Sequence, residues 1–415
     1  MKRIALVLLL LTVFVSAQAQ FKIDAEYRPR FEFRDGYSTL KTENSDPAYF
    51  ITQRTRLNFN HTHNKLTTRI SIQDYRVWGD QKFKLDDPSM NLYEAWFKLQ
   101  LTDYLSITSG RQSFNIDNKR LFSSANWNQV SFSHDGVSLD YNKKTFNFKM
   151  LTAFNQANVS NFGTDYSAQI NNYKFLNVIW LEKKIKDFTL ANLTITDGYQ
   201  KEGTTSTDYY RLTSGLVFKF NKDASNFQFR GFYQTGKNKT GQEISAYYTS
   251  ISYANKLSSS LTLSGGFELL SGTDYTDSEN QKDNAFDILY GTRHAYNGIL
   301  DYFSIPSTTK NAGLFDGYLK ADISKIRNWK LAVQYHYFAL ANNYVFNEEL
   351  QDKFLGHEID LIANYKINDD VALQMGYALF LGASTTLEHL KGVESDGIQQ
   401  FFYTMITVKP TFFKN

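Results

Sequence analysis

Arginines recur at alternate positions near the start of the chain. Arg28, Arg30 and Arg34 share one parity, Arg54 and Arg56 form a second short row, and Arg69 follows. A guanidinium stays charged at any relevant pH and grips a carboxylate through two parallel N–H donors. Six such groups on neighbouring strands would make a wall that favours anions. Lys149, Arg211, Lys219, Arg230, Lys320 and Lys330 join that face by parity in later segments. Asp24, Glu26, Glu32, Glu94, Glu268, Asp316, Asp322, Glu358 and Asp360 fall on it too. The arginines therefore have an alternative role: pairing with acids across an interior and holding a loop in place.

Other chemistry is thinly represented. Ser133-His134-Asp135 contains the residue types of a hydrolytic triad, but neighbours on a strand point to opposite faces and cannot act together. His61-x-His63 falls at a turn with no evident carboxylate partner. Asp46, Asp80, Asp86-Asp87, Asp274, Asp277 and Asp283 dot the loops without the twelve-residue spacing of a calcium loop. With no cysteine in the chain, thiolate metal sites and disulfides are excluded. Neither catalysis, a metal nor a cofactor is expected. Tyr37, Tyr49, Trp78, Tyr93 and Tyr104 stand at strand ends, where they would anchor an interface girdle or stack on sugar rings.

The elements that must position these groups are strands. From Phe21 to Arg34 the apolar residues Phe21, Ile23, Ala25, Tyr27, Phe31 and Phe33 alternate with charged ones, interrupted only by Pro29. Such a period of two belongs to a strand with two chemically opposite faces. Thr145 to Phe154 and Asn328 to Tyr337 repeat it. Eighteen segments of this kind start near residues 21, 50, 65, 91, 104, 131, 145, 173, 187, 209, 225, 241, 260, 313, 328, 354, 371 and 400. Those near 173, 241 and 400 alternate poorly.

Connections alternate in length. Short turns lie at residues 63–65, 102–103, 142–144, 186–187, 221–224, 255–259, 325–327 and 368–370. Between them run longer polar loops at 35–49, 79–90, 113–130, 156–172, 198–208, 272–312, 341–353 and 382–399, with a shorter one near 236–240. One-sided loop length predicts an all-β fold: a transmembrane antiparallel up-and-down β-barrel with short periplasmic turns and long extracellular loops. A mean hydropathy of −0.43 beside 16 % aromatic residues fits a wall in which only alternate residues meet lipid. A net charge of +3 is too small to argue for nucleic acid.

The N-terminus reads as an export signal. Lys2 and Arg3 precede the apolar run Ile4 to Val15, and Ala17-Gln18-Ala19 offers a cleavage site before Gln20. Residues 1–19 are thus expected to be removed, leaving 20–415 as one barrel domain in the outer membrane of a Gram-negative bacterium. Its expected partners are outer-membrane lipid, lipopolysaccharide and the barrel-assembly machinery, which would meet the aromatic terminal segment Gln400 to Phe413.

One block is more specific. Gly110-Arg111-Gln112, Lys119-Arg120-Leu121-Phe122, Trp127-Asn128-Gln129 and His134-Asp135-Gly136-Val137 resemble the outer-membrane alginate-export channel family. The stretch His294 to Tyr302 and the closing Thr407-Val408-Lys409-Pro410 are similar to it as well. The resemblance implies an eighteen-stranded barrel, an arginine-rich constriction for a polyuronate, and loops that gate the two ends. It marks Arg111 and Arg120 as motif arginines. By parity Arg111 points outward unless Gly110 marks a bulge, and a tie to Asp117 or Asp135 is its structural alternative. The expected function is a channel for an acidic oligo- or polysaccharide or a small anionic solute, with a general diffusion porin, or a plugged barrel acting through its loops, as alternatives. The residues expected to line the pore are Arg28, Arg30, Arg34, Arg54, Arg56, Arg69, Arg111, Arg120, Arg211 and Arg230.

Overall fold

The computed structural model describes residues 20–80, 89–166, 173–207, 209–277, 279 and 281–415. The expected signal segment and Asp86-Asp87 lie outside them. The barrel strands are β1 (Gln20–Asp35), β2 (Ala48–His63), β3 (Leu66–Val77), β4 (Met90–Gln100), β5 (Leu105–Gln112), β6 (His134–Lys143), β7 (Phe146–Phe154), β8 (Phe175–Ile185) and β9 (Phe188–Tyr199). They continue with β10 (Tyr209–Lys222), β11 (Ser225–Lys237), β12 (Glu243–Lys256), β13 (Leu261–Leu270), β14 (Leu314–Ile326), β15 (Trp329–Ala339), β16 (Phe354–Lys366), β17 (Val371–Leu381) and β18 (Gln399–Val408). After Lys409 and Pro410, β18 resumes over Thr411–Lys414. Each strand pairs antiparallel with its chain neighbour, and β18 pairs back onto β1, with Arg30 opposite Met405 and Ile23 opposite Phe413. The sheet is a closed barrel of eighteen strands without an unpaired edge.

Strand starts agree with the alternation to within a few residues; the largest offset is at β6, read from 131 and found at His134. Five of the tight turns use left-handed backbone at their centres. Asn64, Lys144, Lys186, Asp223 and Arg327 all adopt it, with φ between 46° and 52°.

Two long loops turn into the barrel. Residues 113–133, between β5 and β6, meet residues 271–313, between β13 and β14, in a short parallel bridge of Phe122 with Tyr290. Ser123 N donates to Tyr290 O at 3.0 Å and Thr292 N to Lys119 O at 2.8 Å. A short helix, α1 (Thr385–Lys391), stands in the loop before β18; Ser384 Oγ caps it by accepting from Leu387 N at 3.1 Å.

The inward loops change what the wall must be. The inward row is not uniformly polar. Leu151, Leu176, Val178, Trp180, Leu193, Ile195 and Val217 on β7–β10 point into the barrel, as do Ala246 and Tyr248 on β12 and Phe401 and Tyr403 on β18. All are buried in one core with Ile116, Leu121 and Phe122 of the first loop and Ile288, Leu300 and Tyr302 of the second. The strands near 173, 241 and 400 alternate poorly for this reason: both their faces are apolar, one toward lipid and one toward the folded loops.

Gly291 sets the spacing of the two loops. A Cβ built there would lie 1.7 Å from the carbonyl oxygen of Arg120. Gly291→Ala is expected to force them apart and destabilise the fold by about 1–3 kcal/mol, the usual range for overpacking. Thermal unfolding of the purified barrel and protease cleavage within 113–133 both measure this; an unchanged melting temperature would contradict it.

Candidate functional site

β1 and β2 place their arginines in register. Arg28 lies opposite Arg54, and Glu26 opposite Arg56. Like charges facing each other across a ladder repel unless something intervenes. Here carboxylates intervene for some and a loop for the rest. Arg54 pairs with Glu26 through two donors, Nε at 2.9 Å. Arg30 and Arg34 share the single carboxylate of Glu32, at 2.7 and 2.6 Å. Arg69 pairs with Glu94 at 2.7 Å and also donates to Asn58 and Asn60. Arg28 and Arg56 have no carboxylate partner among the described residues. Arg56 donates to Gln73 Oε1 at 2.9 Å, stacks over Tyr93 at 3.7 Å, and keeps a buried Nη2 without an acceptor.

Arg28 is held by the loop 113–133. Its Nη1 donates to Asn126 O at 2.7 Å, its Nη2 to Asn128 O at 2.9 Å and Trp127 O at 3.2 Å, and its Nε to Gln129 Oε1 at 3.1 Å. Trp127 is sandwiched between Arg30, 4.2 Å from its ring, and His294, stacked at 3.8 Å.

The same loop crosses to the far wall. Asp117 takes Lys219 and Arg230 at 2.6 Å each, and Arg120 pairs with Glu268 through two donors, Nε at 3.0 Å. Burial would raise the Asp117 carboxyl, yet Arg230 and Lys219 beside it hold it below the usual carboxylate range. The second loop is tied in likewise. Arg211 joins Asp197 of β9 at 2.6 Å and Asp287 of the loop at 2.8 Å. Asn297 donates to Glu268 and Asp316, and Leu300 N donates to Glu358 at 2.8 Å. On that wall His336 bridges Asp316 at 2.8 Å and Asp360 at 3.6 Å.

Nine of the ten expected pore residues face the interior. Arg28, Arg30, Arg34, Arg54, Arg56, Arg69, Arg211 and Arg230 are in the inward rows, and Arg120 projects from the inward loop. Arg111 is off the inward rows, although it borders the same cavity as Arg211. Gly110 marks no bulge, since β5 and β6 keep register through Gly110 opposite Gly136 and Arg111 opposite Asp135. Its φ of +119° instead accommodates a close approach to Ala95 O, 2.2 Å from where a Cβ would sit. Arg111 therefore keeps its outward parity and binds Asp135 at 2.7 and 2.9 Å at the rim. Tyr93 and Tyr37 turn inward beneath Arg56 and Arg34, whereas Tyr49, Trp78 and Tyr104 are exposed. His134 meets the Tyr173 hydroxyl at 2.7 Å while Asp135 serves Arg111, so Ser133, His134 and Asp135 are not joined as a triad.

A cavity of about 1040 Å³ opens between the two loops. Ala125, Trp127, Asn128, Arg211, Asp287 and Arg293 are among its lining residues. Arg293 belongs to no strand, so parity offers no signal for it. Lys391 of α1 donates to Tyr302 O at 2.8 Å and lies over the Tyr302 ring. Burial, with Lys310 nearby, pulls its amine down to about 8.

The Asp117 cluster and Lys391 can each be probed in solution. Asp117→Asn leaves Lys219 and Arg230 facing each other without a counter-charge and is expected to cost about 3–5 kcal/mol. In the parent barrel the Asp117 contribution is present above the ordinary carboxylate range, ~3.9, and is lost as pH falls through the depressed native value. An acid-induced rise in protease cleavage at 113–133 that disappears in the Asn variant checks both points. Lys391, in turn, should react with an amine-acylating reagent with a midpoint near pH 8; peptide mapping across pH reads it directly, and a midpoint in the ordinary lysine range contradicts it.

The barrel is similar in fold to solved outer-membrane channels. OccK8 (OprE) of Pseudomonas aeruginosa superposes with a TM-score of 0.61 at 12 % identity, over 95 % of this chain and 98 % of that one. OccAB1 of Acinetobacter baumannii gives 0.61 at 11 %, over 95 % and 97 %. OpdK of Pseudomonas aeruginosa, solved with vanillate, gives 0.59 at 12 %, over 95 % and 99 %. No curated protein matches in sequence. The alginate-export family signature matches residues 19–386, nearly the whole chain, and with the closed eighteen-stranded barrel this makes the protein an outer-membrane channel of the alginate-export family.

Proposed function

We propose that the barrel passes carboxylate-bearing solutes across the outer membrane of a Gram-negative envelope, with an acidic oligo- or polysaccharide as its preferred cargo. The observation that carries this reading is the imbalance of the β1–β3 wall. Six guanidiniums (Arg28, Arg30, Arg34, Arg54, Arg56 and Arg69) face the three carboxylates that pair with them (Glu26, Glu32 and Glu94), while the other acids of these strands, Asp24, Asp35 and Asp74, are taken by Lys22, Lys41 and Arg76. Loop carbonyls and amides solvate the surplus arginines without cancelling their charge. A lumen wall with net positive charge enriches anions in the path. A carboxylate also suits the guanidinium fork better than a neutral hydroxyl does. Vanillate, with which the like-folded OpdK was solved, is itself a carboxylate.

The test is planar-bilayer recording of the parent barrel beside Arg34→Gln/Arg56→Gln. These two sites are chosen because Arg34 shares its acid with Arg30 and Arg56 has none. The parent is expected to prefer anions and to be blocked by short oligouronates. In the variant the reversal potential should move toward zero and block should weaken about tenfold, or ~1.4 kcal/mol, for each guanidinium removed. Indifference of both quantities to the substitutions would leave a general diffusion pore. Absence of conductance would leave a plugged barrel acting through its loops.

A further inference from the structure

Residues 126–129 lie on the arginine wall as a solute would. Four successive positions direct acceptors at three guanidiniums. Arg28 takes the carbonyls of Asn126, Trp127 and Asn128, at 2.7, 3.2 and 2.9 Å, and the Gln129 side chain at 3.0–3.1 Å. Arg30 takes Trp127 O at 2.8 Å. Arg54 takes Asn128 O and Asn126 Oδ1, both at 3.1 Å. Every one of these acceptors is neutral, and Arg28 is 4 % exposed with no carboxylate bound to it among the described residues.

A buried guanidinium compensated only by dipoles is poorly stabilised. A carboxylate supplies the same two-pronged acceptor geometry with a full charge, in a bond roughly twice as strong as a neutral one. The exchange of loop for solute is therefore favourable at the arginine, provided that the loop can leave.

The halves of the loop differ on this point. Residues 114–123 are fixed: Asp117 and Arg120 make the ion pairs to the far wall, and Ile116, Leu121 and Phe122 are in the core. Residues 126–129 are held to β1 and β2 by hydrogen bonds and by Trp127 stacked on Arg30, with His294 on its other face and Tyr403 at its edge, and Asn128 is exposed on the reverse side. That reverse side lines the 1040 Å³ cavity through Ala125, Trp127 and Asn128. The junction is Ala125, at φ +46°, a left-handed position that an alanine occupies only under strain.

We propose that residues 126–129 are an internal ligand of the arginine wall, displaced about Ala125 when a solute carboxylate reaches Arg28 and Arg54. The channel is then opened by its own cargo, and a neutral sugar finds it closed. This rests on the anion-channel reading above, and the experiment separates the two.

The chain has no cysteine, so Gln129→Cys in the full barrel, at a position 4 % exposed while the strip is in place, is a single reporter on the strip. Its maleimide reaction rate is measured with short oligoguluronate or with malto-oligosaccharide of equal length. Oligoguluronate is expected to raise the rate about tenfold, equivalent to about 1.4 kcal/mol of displacement. The neutral sugar should leave it unchanged. Arg28→Gln in that background should react fast from the outset and respond no further. Ala125→Gly, which relieves the strain of the closed form and needs no new contact, should slow the basal rate about fivefold. An unchanged or reduced rate at a concentration that blocks anion current overturns the displacement and leaves the channel reading intact. Neither block nor rate change overturns both.

Discussion

A charged group enclosed by protein must find a partner inside, because water no longer screens or solvates it. The rest of this barrel depends on that constraint. Alternation along β1 and β2 sends Arg28, Arg30, Arg54 and Arg56 to one small area of the interior, and registry then sets Arg28 against Arg54. Carboxylates on the same strands answer part of this charge. The remainder is answered by a loop that enters the lumen and offers its backbone. Once that loop is inside, it needs anchors of its own, and Asp117 and Arg120 find them on β10, β11 and β13.

Filling the lumen with chain also brings side chains that cannot be left in water. The apolar inward rows of β7–β10, β12 and β18 receive them, so the upper barrel has an interior packed like that of a soluble domain. Burial of apolar area is worth roughly 25 cal/mol per Å², and this term holds the first half of the 113–133 loop together with its ion pairs. The second half lacks it. Trp127 is the exception within that half: Arg30 and His294 take its two faces, and its edge packs on Tyr403 of the core.

Most of the barrel was legible in the sequence, because a lipid-facing wall enforces alternation and an up-and-down topology enforces unequal loop lengths. Strand number, strand starts and the inward parity of the β1–β3 arginines come from those two rules. Where the rules failed, the cause is the same each time: something other than lipid or water touches the strand. β8, β12 and β18 alternate weakly because loops pack on their inner faces. Arg111 invited a bulge at Gly110, but that glycine accommodates the neighbouring strand's carbonyl and the parity stands. Loop residues carry no parity at all. Gln129 and Trp127 stood within a recognisable motif, yet nothing local told that Asn126, Trp127 and Asn128 would supply backbone rather than side chains. Arg293 left no trace, since its position depends on where the long 271–313 loop folds.

Counting acids and bases on the inner face would predict a nearly neutral lumen, and the count misleads. What matters is the kind of partner each charge receives. Glu268 is met by the guanidinium of Arg120, and Asp316 by the imidazole of His336. Asp117 is shared by Lys219 and Arg230, and Asp197 is taken by Arg211. Arg28 receives only carbonyl and amide dipoles, and Arg56 amide dipoles and the face of Tyr93. A dipole lowers the energy of a charge but leaves its field in place at longer range, whereas an ion pair removes most of it. The loops thus consume charge on the β9–β15 side and preserve it on the β1–β3 side. A chain whose formal charge is only +3 can in this way present a strongly positive wall to whatever enters it.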